Sequence, residues 1–223
     1  MNGAAARAPQ VLVWDWPLRV FHWALALLVV GLWFTAENGY LGLHKRFGLT
    51  VLGLLVFRVY WGFAGAGTAR FSQFVKGPRA VLAYGRELRR PYKARRGHNP
   101  LGAMSVLAML AALMAQVAAG LFAVDVDGLE SGPLSRFVTF EQGRMAAEFH
   151  ETWFNVVFGL IVLHLAAVAF YAIFLRTNLA AAMITGRRPM DHEPDASAPP
   201  ATVFLWRAAL GVLIAGAVIM IVS

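Results

Sequence analysis

Two histidines, His150 and His164, stand fourteen residues apart in FHETWFNVVFGLIVLHLAAVAFYAIF, an otherwise apolar run from Phe149 to Phe174. In a helix rising about 1.5 Å per residue they lie roughly 21 Å apart along the axis and within about 40° of one direction, so they share a face. Ionisable groups in a membrane helix are costly to desolvate and usually face a bundle interior, where they act. Neutral imidazole is a metal ligand, and one helix here offers a donor near each membrane surface. Hydrogen-bonded packing is the alternative for any single histidine. Two on one face, each with a counterpart on another helix, point to ligation.

The counterparts are His22 and His44. A first apolar span, about Pro17 to Ala36, carries His22 near its start. A second, about His44 to Phe63, opens with His44 after the first has delivered the chain to the opposite side. His22 is therefore expected at the depth of His164, and His44 at the depth of His150. Pro17 suits a first helical turn, where its missing N–H has no intrahelical partner. The tryptophans of VWDWPLRVFHW read as an interfacial belt, with Arg19 snorkelling. Gly48 and Gly53 are expected to give a flat cofactor room beside the second span, plain helix packing being the alternative.

Composition fixes the class. The chain has 223 residues, 59% hydrophobic and 14% charged, in runs too long for a soluble core. The fold class expected is an all-α integral membrane protein, a four-helix transmembrane bundle plus a fifth C-terminal helix. The third span is about Leu101 to Val124 and the fifth Thr202 to Val222. Residues 1–10 form a tail without a removable signal peptide's order, 11–176 the bundle, and 177–201 a flexible connector that includes MDHEPDASAPP with His192. Zero cysteines exclude disulfides, thiolate metal sites, iron–sulfur ligation and covalent c-type haem.

Charge sets the orientation. Of twenty Lys and Arg, four (Lys45, Arg46, Arg136, Arg144) fall on the side opposite the N-terminus, Arg58 lies within a span, and fifteen fall on the N-terminal side. The positive-inside rule then puts the N-terminus in the cytosol and the C-terminus in the periplasm of a bacterial inner membrane. The basic loop 64–99, with a short amphipathic helix after Pro78, is expected on anionic lipid or against an acidic partner. It lacks the aromatic interleaving of a nucleic-acid module, and no nucleic acid is expected. His98, in GHNP, reads as a turn or capping residue, contact with a cofactor or quinone being the alternative. The opposite loop, Asp125 to Glu148, is acidic.

Four histidines paired at two depths could hold zinc or copper, but those sites usually want further ligands, and no carboxylate or sulfur is placed beside either pair. Two imidazoles suffice for the two faces of a planar haem. Bis-histidine haem b is the natural fit, one near each surface, with a quinone pocket near one of them. The segments VWDWPLRVFHW, HKRFG, FRVYWGF, GHNPLGA and the two histidines of span four together resemble the prokaryotic cytochrome b561 family over about Val11 to Phe174. That family is related to the cytochrome b subunits of nickel–iron hydrogenases and membrane formate dehydrogenases. The resemblance implies two b haems, held by His22 with His164 and His44 with His150, and electron exchange with membrane quinone. Arg19, Arg46 and Arg58 are further candidates for cofactor binding. Arg58 is expected to neutralise a cofactor carboxylate, or equally to snorkel to the surface.

Several functions fit this frame. The first is electron transfer between the quinone pool and a periplasmic c-type cytochrome, whose basic surface the acidic loop would suit. The second is the cytochrome b anchor of a hydrogenase or dehydrogenase. The third is a superoxide:quinone oxidoreductase, disfavoured because seven acids against four basic residues on that side would repel an anion. A non-redox scaffold or transporter, with histidines for packing or proton relay, predicts no chromophore. A homo-oligomer is compatible with each.

Overall fold

The computed structural model describes residues 10–65, 67–87, 97–126, 130–189 and 201–223. Five of its helices are long and apolar enough to cross a membrane. The chain is a multi-pass membrane protein built as a helical bundle. A short strand β1 (Gln10–Leu12) leads into α1 (Trp16–Glu37) and, after a tight reversal, α2 (Leu41–Ala64). A single turn α3 (Phe71–Phe74) and the short α4 (Pro78–Glu87) precede α5 (Pro100–Phe122). Then come α6 (Phe140–Ile173), α7 (Leu179–Thr185), strand β2 (Arg187–Pro189) and α8 (Ala201–Val222).

Local chemistry sets where these helices begin. Asp15 accepts from Leu18 N–H at 2.9 Å and caps α1, with proline in the first turn. Asn99 caps α5 in the same way, at 2.7 Å to Gly102 N. Thr139 and Gln142 form a reciprocal capping box at the start of α6. Consequently α6 begins nine residues before the apolar run that signals it in the sequence. Its 34 residues span roughly 51 Å, against a hydrocarbon core of about 30 Å, so it is longer than one straight crossing needs. The acidic loop is thus partly helix, and Glu141 and Glu148 are exposed on it.

Packing follows chain order, α1 on α2, α2 on α5 and α5 on α6. The core between them includes Leu18, Phe21, Val51, Leu55, Phe57, Trp61, Leu110, Leu113 and Val157. α8 lies antiparallel along α2. Arg207 donates to the Ala64 carbonyl at one end, and Ile219 fills the notch at Gly53 toward the other. Gly53 therefore serves helix packing, while a Cβ on Gly48 would meet nothing within 4 Å. α4 is docked rather than loose. Its Tyr84 is buried, with the hydroxyl 3.3 Å from that of Tyr171 on α6, and Leu82 and Arg86 are exposed.

β1 pairs antiparallel with β2, Val11 opposite Arg188. Val13 and Trp14 both donate to the Gly186 carbonyl, and Gly186 ends α7 in the left-handed region at φ 78°. The described part of the expected connector, up to Pro189, is therefore a helix and a strand fastened to the N-terminal segment. His192 and the rest of that connector lie outside the described residues, as do Arg89, Arg90, Lys93, Arg95 and Arg96 of the basic loop.

Candidate functional site

α1, α5 and α8 start at the end of the bundle that holds β1, here the N-side, and α2 and α6 start at the far side. This alternation places His22 and His164 toward the N-side and His44 and His150 toward the far side. Their rings meet across helices. The centroids of His22 and His164 are 6.4 Å apart, and those of His44 and His150 are 6.0 Å apart. Among the described residues, no third histidine or carboxylate joins either pair.

The far pair is held from behind. His44 Nδ1 lies 3.0 Å from the Leu32 carbonyl and 3.4 Å from Thr35 Oγ1, and Thr35 is fully buried. His150 Nδ1 lies 2.8 Å from the Gln116 carbonyl, while Gln116 Nε2 donates to the His150 carbonyl at 2.9 Å. A carbonyl only accepts, so each Nδ1 carries its hydrogen and each Nε2 keeps a lone pair. Gly120 permits this approach, since a Cβ there would stand 2.8 Å from the His150 ring. The N-side pair differs. His22 Nδ1 is buried without a hydrogen-bond partner among the described residues, and its ring stands edge-on to Trp23 at 5.1 Å.

The arginines divide. Arg19 directs its guanidinium to the carbonyls of Met183 and Ile184 at the end of α7, so it joins α1 to that helix. Arg46 is exposed on α2. Arg58 is 2% exposed, with its guanidinium 4.8 Å from the centre of the Phe71 ring and Nη1 lacking a partner among the described residues. It has not snorkelled to the surface. Asp15 is close enough to act on it electrostatically, and Asp15 also accepts from Trp61 Nε1 at 3.0 Å. This buried Asp15, Trp61 and Arg58 cluster is not evident from the sequence, because it depends on how α1 packs against α2.

His98 is no cap, a role taken by Asn99. It sits between Trp14 and Phe74, with ring centroids at 4.5 and 5.0 Å, and its Nδ1 is buried without a partner among the described residues. Burial, then the Arg58 charge and His164, lower its pKa from 6.5 to about 4. Below about pH 6.5 the unfolded chain takes up a proton that the folded chain refuses. Stability is therefore whole above that pH and declines as pH falls toward about 4, by on the order of 3 kcal/mol. Thermal unfolding followed from pH 7 to 4 should show this loss, and His98→Phe should flatten the part due to this group. An equal acid sensitivity in that variant would reject the assignment.

These features define a class, a membrane helix bundle presenting facing histidine pairs at two depths. The family described as prokaryotic cytochrome b561 matches residues 13–186. A probable Ni/Fe-hydrogenase B-type cytochrome subunit from Azotobacter chroococcum mcd 1 is 30% identical over 225 residues, covering 83% of this chain and 91% of that protein. No solved structure matches. The chain belongs to the prokaryotic cytochrome b561 family, and is a membrane cytochrome b with an electron-transfer role. Membership implies haem b. The histidines fit that group. Two iron–imidazole bonds of about 2 Å each, with the half-width of each ring added, require centroids roughly 6 Å apart. Both pairs meet this spacing. A second nitrogen hydrogen-bonded to a carbonyl is also the usual arrangement of a ligating histidine, and the far pair has it on both sides.

Proposed function

We propose that the chain is a dihaem electron carrier, with His22 and His164 holding one haem b and His44 and His150 the other. The observation that carries this reading is the two facing pairs, each about 6 Å between centroids, at opposite ends of one helix. Held by these four imidazoles, haem b would supply one-electron chemistry. The protein orients the imidazoles, excludes water from between the helices and fixes the far tautomers through Leu32 and Gln116. The carrier connects the quinone pool with a redox protein on the outer face of a bacterial inner membrane, with the N-terminus cytosolic. A c-type cytochrome suits the exposed acids at the far side. The relative from Azotobacter favours a second reading, in which the partner is a hydrogenase.

Pyridine haemochrome analysis of the purified protein should give about two b-type haems per chain, and a quinol analogue should reduce both. Copurification of a large metalloenzyme subunit would select the second reading. Folded protein with one haem or none, from cells supplied with haem, would end the dihaem assignment.

A further inference from the structure

The short helix α4 has two unlike faces. Ala80 and Val81 are half-buried and Tyr84 is buried, so this side turns toward the bundle. The Tyr84 hydroxyl lies 3.3 Å from that of Tyr171 on α6, and Tyr171 in turn accepts from Asn99 Nδ2 at 2.6 Å. The opposite side carries Arg79, Leu82, Ala83 and Arg86, all exposed. Spacings of three, four and seven residues put these four on one face of a helix. The two arginines stand about 10 Å apart along the axis, with the apolar pair between them. Leu82 is 68% exposed. Among the described residues, neither guanidinium has a hydrogen bond or an ion pair.

The Tyr84 contact also sets the depth of the helix. Tyr171 is in the last turn of α6 and Asn99 caps α5, so α4 lies where the membrane-crossing helices end, at the level of lipid headgroups. An exposed guanidinium at that level meets phosphate oxygens, which its planar fork binds bidentately. Leu82 has the boundary of the hydrocarbon to enter. A free phosphate or a soluble acidic protein would satisfy the arginines but leave Leu82 in water. The surroundings have the same sign of charge. Lys76, Arg176 and Arg187 are exposed on this side, while Asp15 is buried.

We propose that the outer face of α4 is a binding site for anionic phospholipid, with Arg79 and Arg86 on lipid phosphates and Leu82 between headgroups and acyl chains. The lipid holds α4 against the N-side end of the bundle, because the helix that grips headgroups with one face is tied to α5 and α6 through Tyr84 on the other. This site is independent of the histidine pairs.

The test is lipid binding by the purified full chain in detergent. The chain is stripped of lipid and titrated with phosphatidylglycerol or phosphatidylcholine, and bound lipid is counted by native mass spectrometry. Phosphatidylglycerol should bind more tightly. A basic residue at an anionic surface contributes about fivefold, so Arg79→Gln with Arg86→Gln should weaken phosphatidylglycerol binding by roughly 25-fold. Both positions are exposed and glutamine is a good helix former, so the variant should fold. Arg187→Gln removes the same charge from β2 on the same side and should change the affinity by less than about twofold. Phosphatidylglycerol should also slow hydrogen exchange at residues 78–87 in the parent chain and not in the double variant. Equal affinity for the two lipids would overturn the proposal and leave this face to an acidic protein. Displacement of the lipid by inorganic phosphate would make it a free-anion site instead. Weakening in Arg187→Gln as large as in the double variant, or no protection of residues 78–87, would show a diffuse basic surface and overturn the site.

Discussion

His150→Ala is expected to retain about one b-type haem per chain instead of about two, and His164→Ala to lose the other one. The two variants should lack complementary components of the reduced-minus-oxidised spectrum. The bundle should survive the first change. Removing the ring removes its 2.8 Å hydrogen bond to the Gln116 carbonyl, worth on the order of 1 kcal/mol. The Gln116 Nε2 bond to the main chain at 150 does not need the side chain, and Trp153 Nε1 still donates to the Ala112 carbonyl at 3.0 Å. Loss of the same component in both variants would contradict the pairing by depth.

Asp15→Ala should be the most damaging substitution outside the histidines. It removes the cap on Leu18 N–H, which costs about 1 kcal/mol, and leaves Trp61 Nε1 without its 3.0 Å acceptor in a fully buried ring. It also removes a carboxylate that acts electrostatically on the buried Arg58. The combined loss, read from denaturation in detergent, should be about 2–4 kcal/mol. Adding Arg58→Met should recover part of it, since the uncompensated cation goes too. A change within about 0.5 kcal/mol for the single variant would show that the carboxylate is not integral to the fold.

The spans and the depth of each histidine were legible because both follow from long-range regularities, apolar runs and the reversal of direction at each crossing. His44 opening the second span is enough to place it beside His150. The supports of those histidines were not legible. Gln116 and Leu32 act through main-chain carbonyls, on spans chosen by the sequence only for their apolarity, and no side-chain type announces such a role. Gly53 is a similar case, since the sequence cannot say whether a glycine faces a cofactor or, as here, Ile219. The early start of α6 was available in principle. Thr139 and Gln142 are a capping box in plain sight, but the charges that follow them suggest a loop. Arg19 was misleading for a geometric reason, because its partners belong to α7, a short helix in a stretch that reads as a connector.

The pairing of residues 10–12 with 187–189 bears on how the molecule is made. The N-terminal strand leaves the ribosome long before its partner exists, and at about 5–20 residues per second it waits roughly ten seconds or more. During that interval four membrane crossings can insert while the N-side end of the first stays untied to residues 187–189. Closure of the small sheet, with Arg19 reaching the end of α7 and Trp14 reaching Gly186, comes only after the fourth crossing is complete. Biogenesis therefore has an open stage, in which α1 can still move relative to α6, and a closed one set by the synthesis of β2.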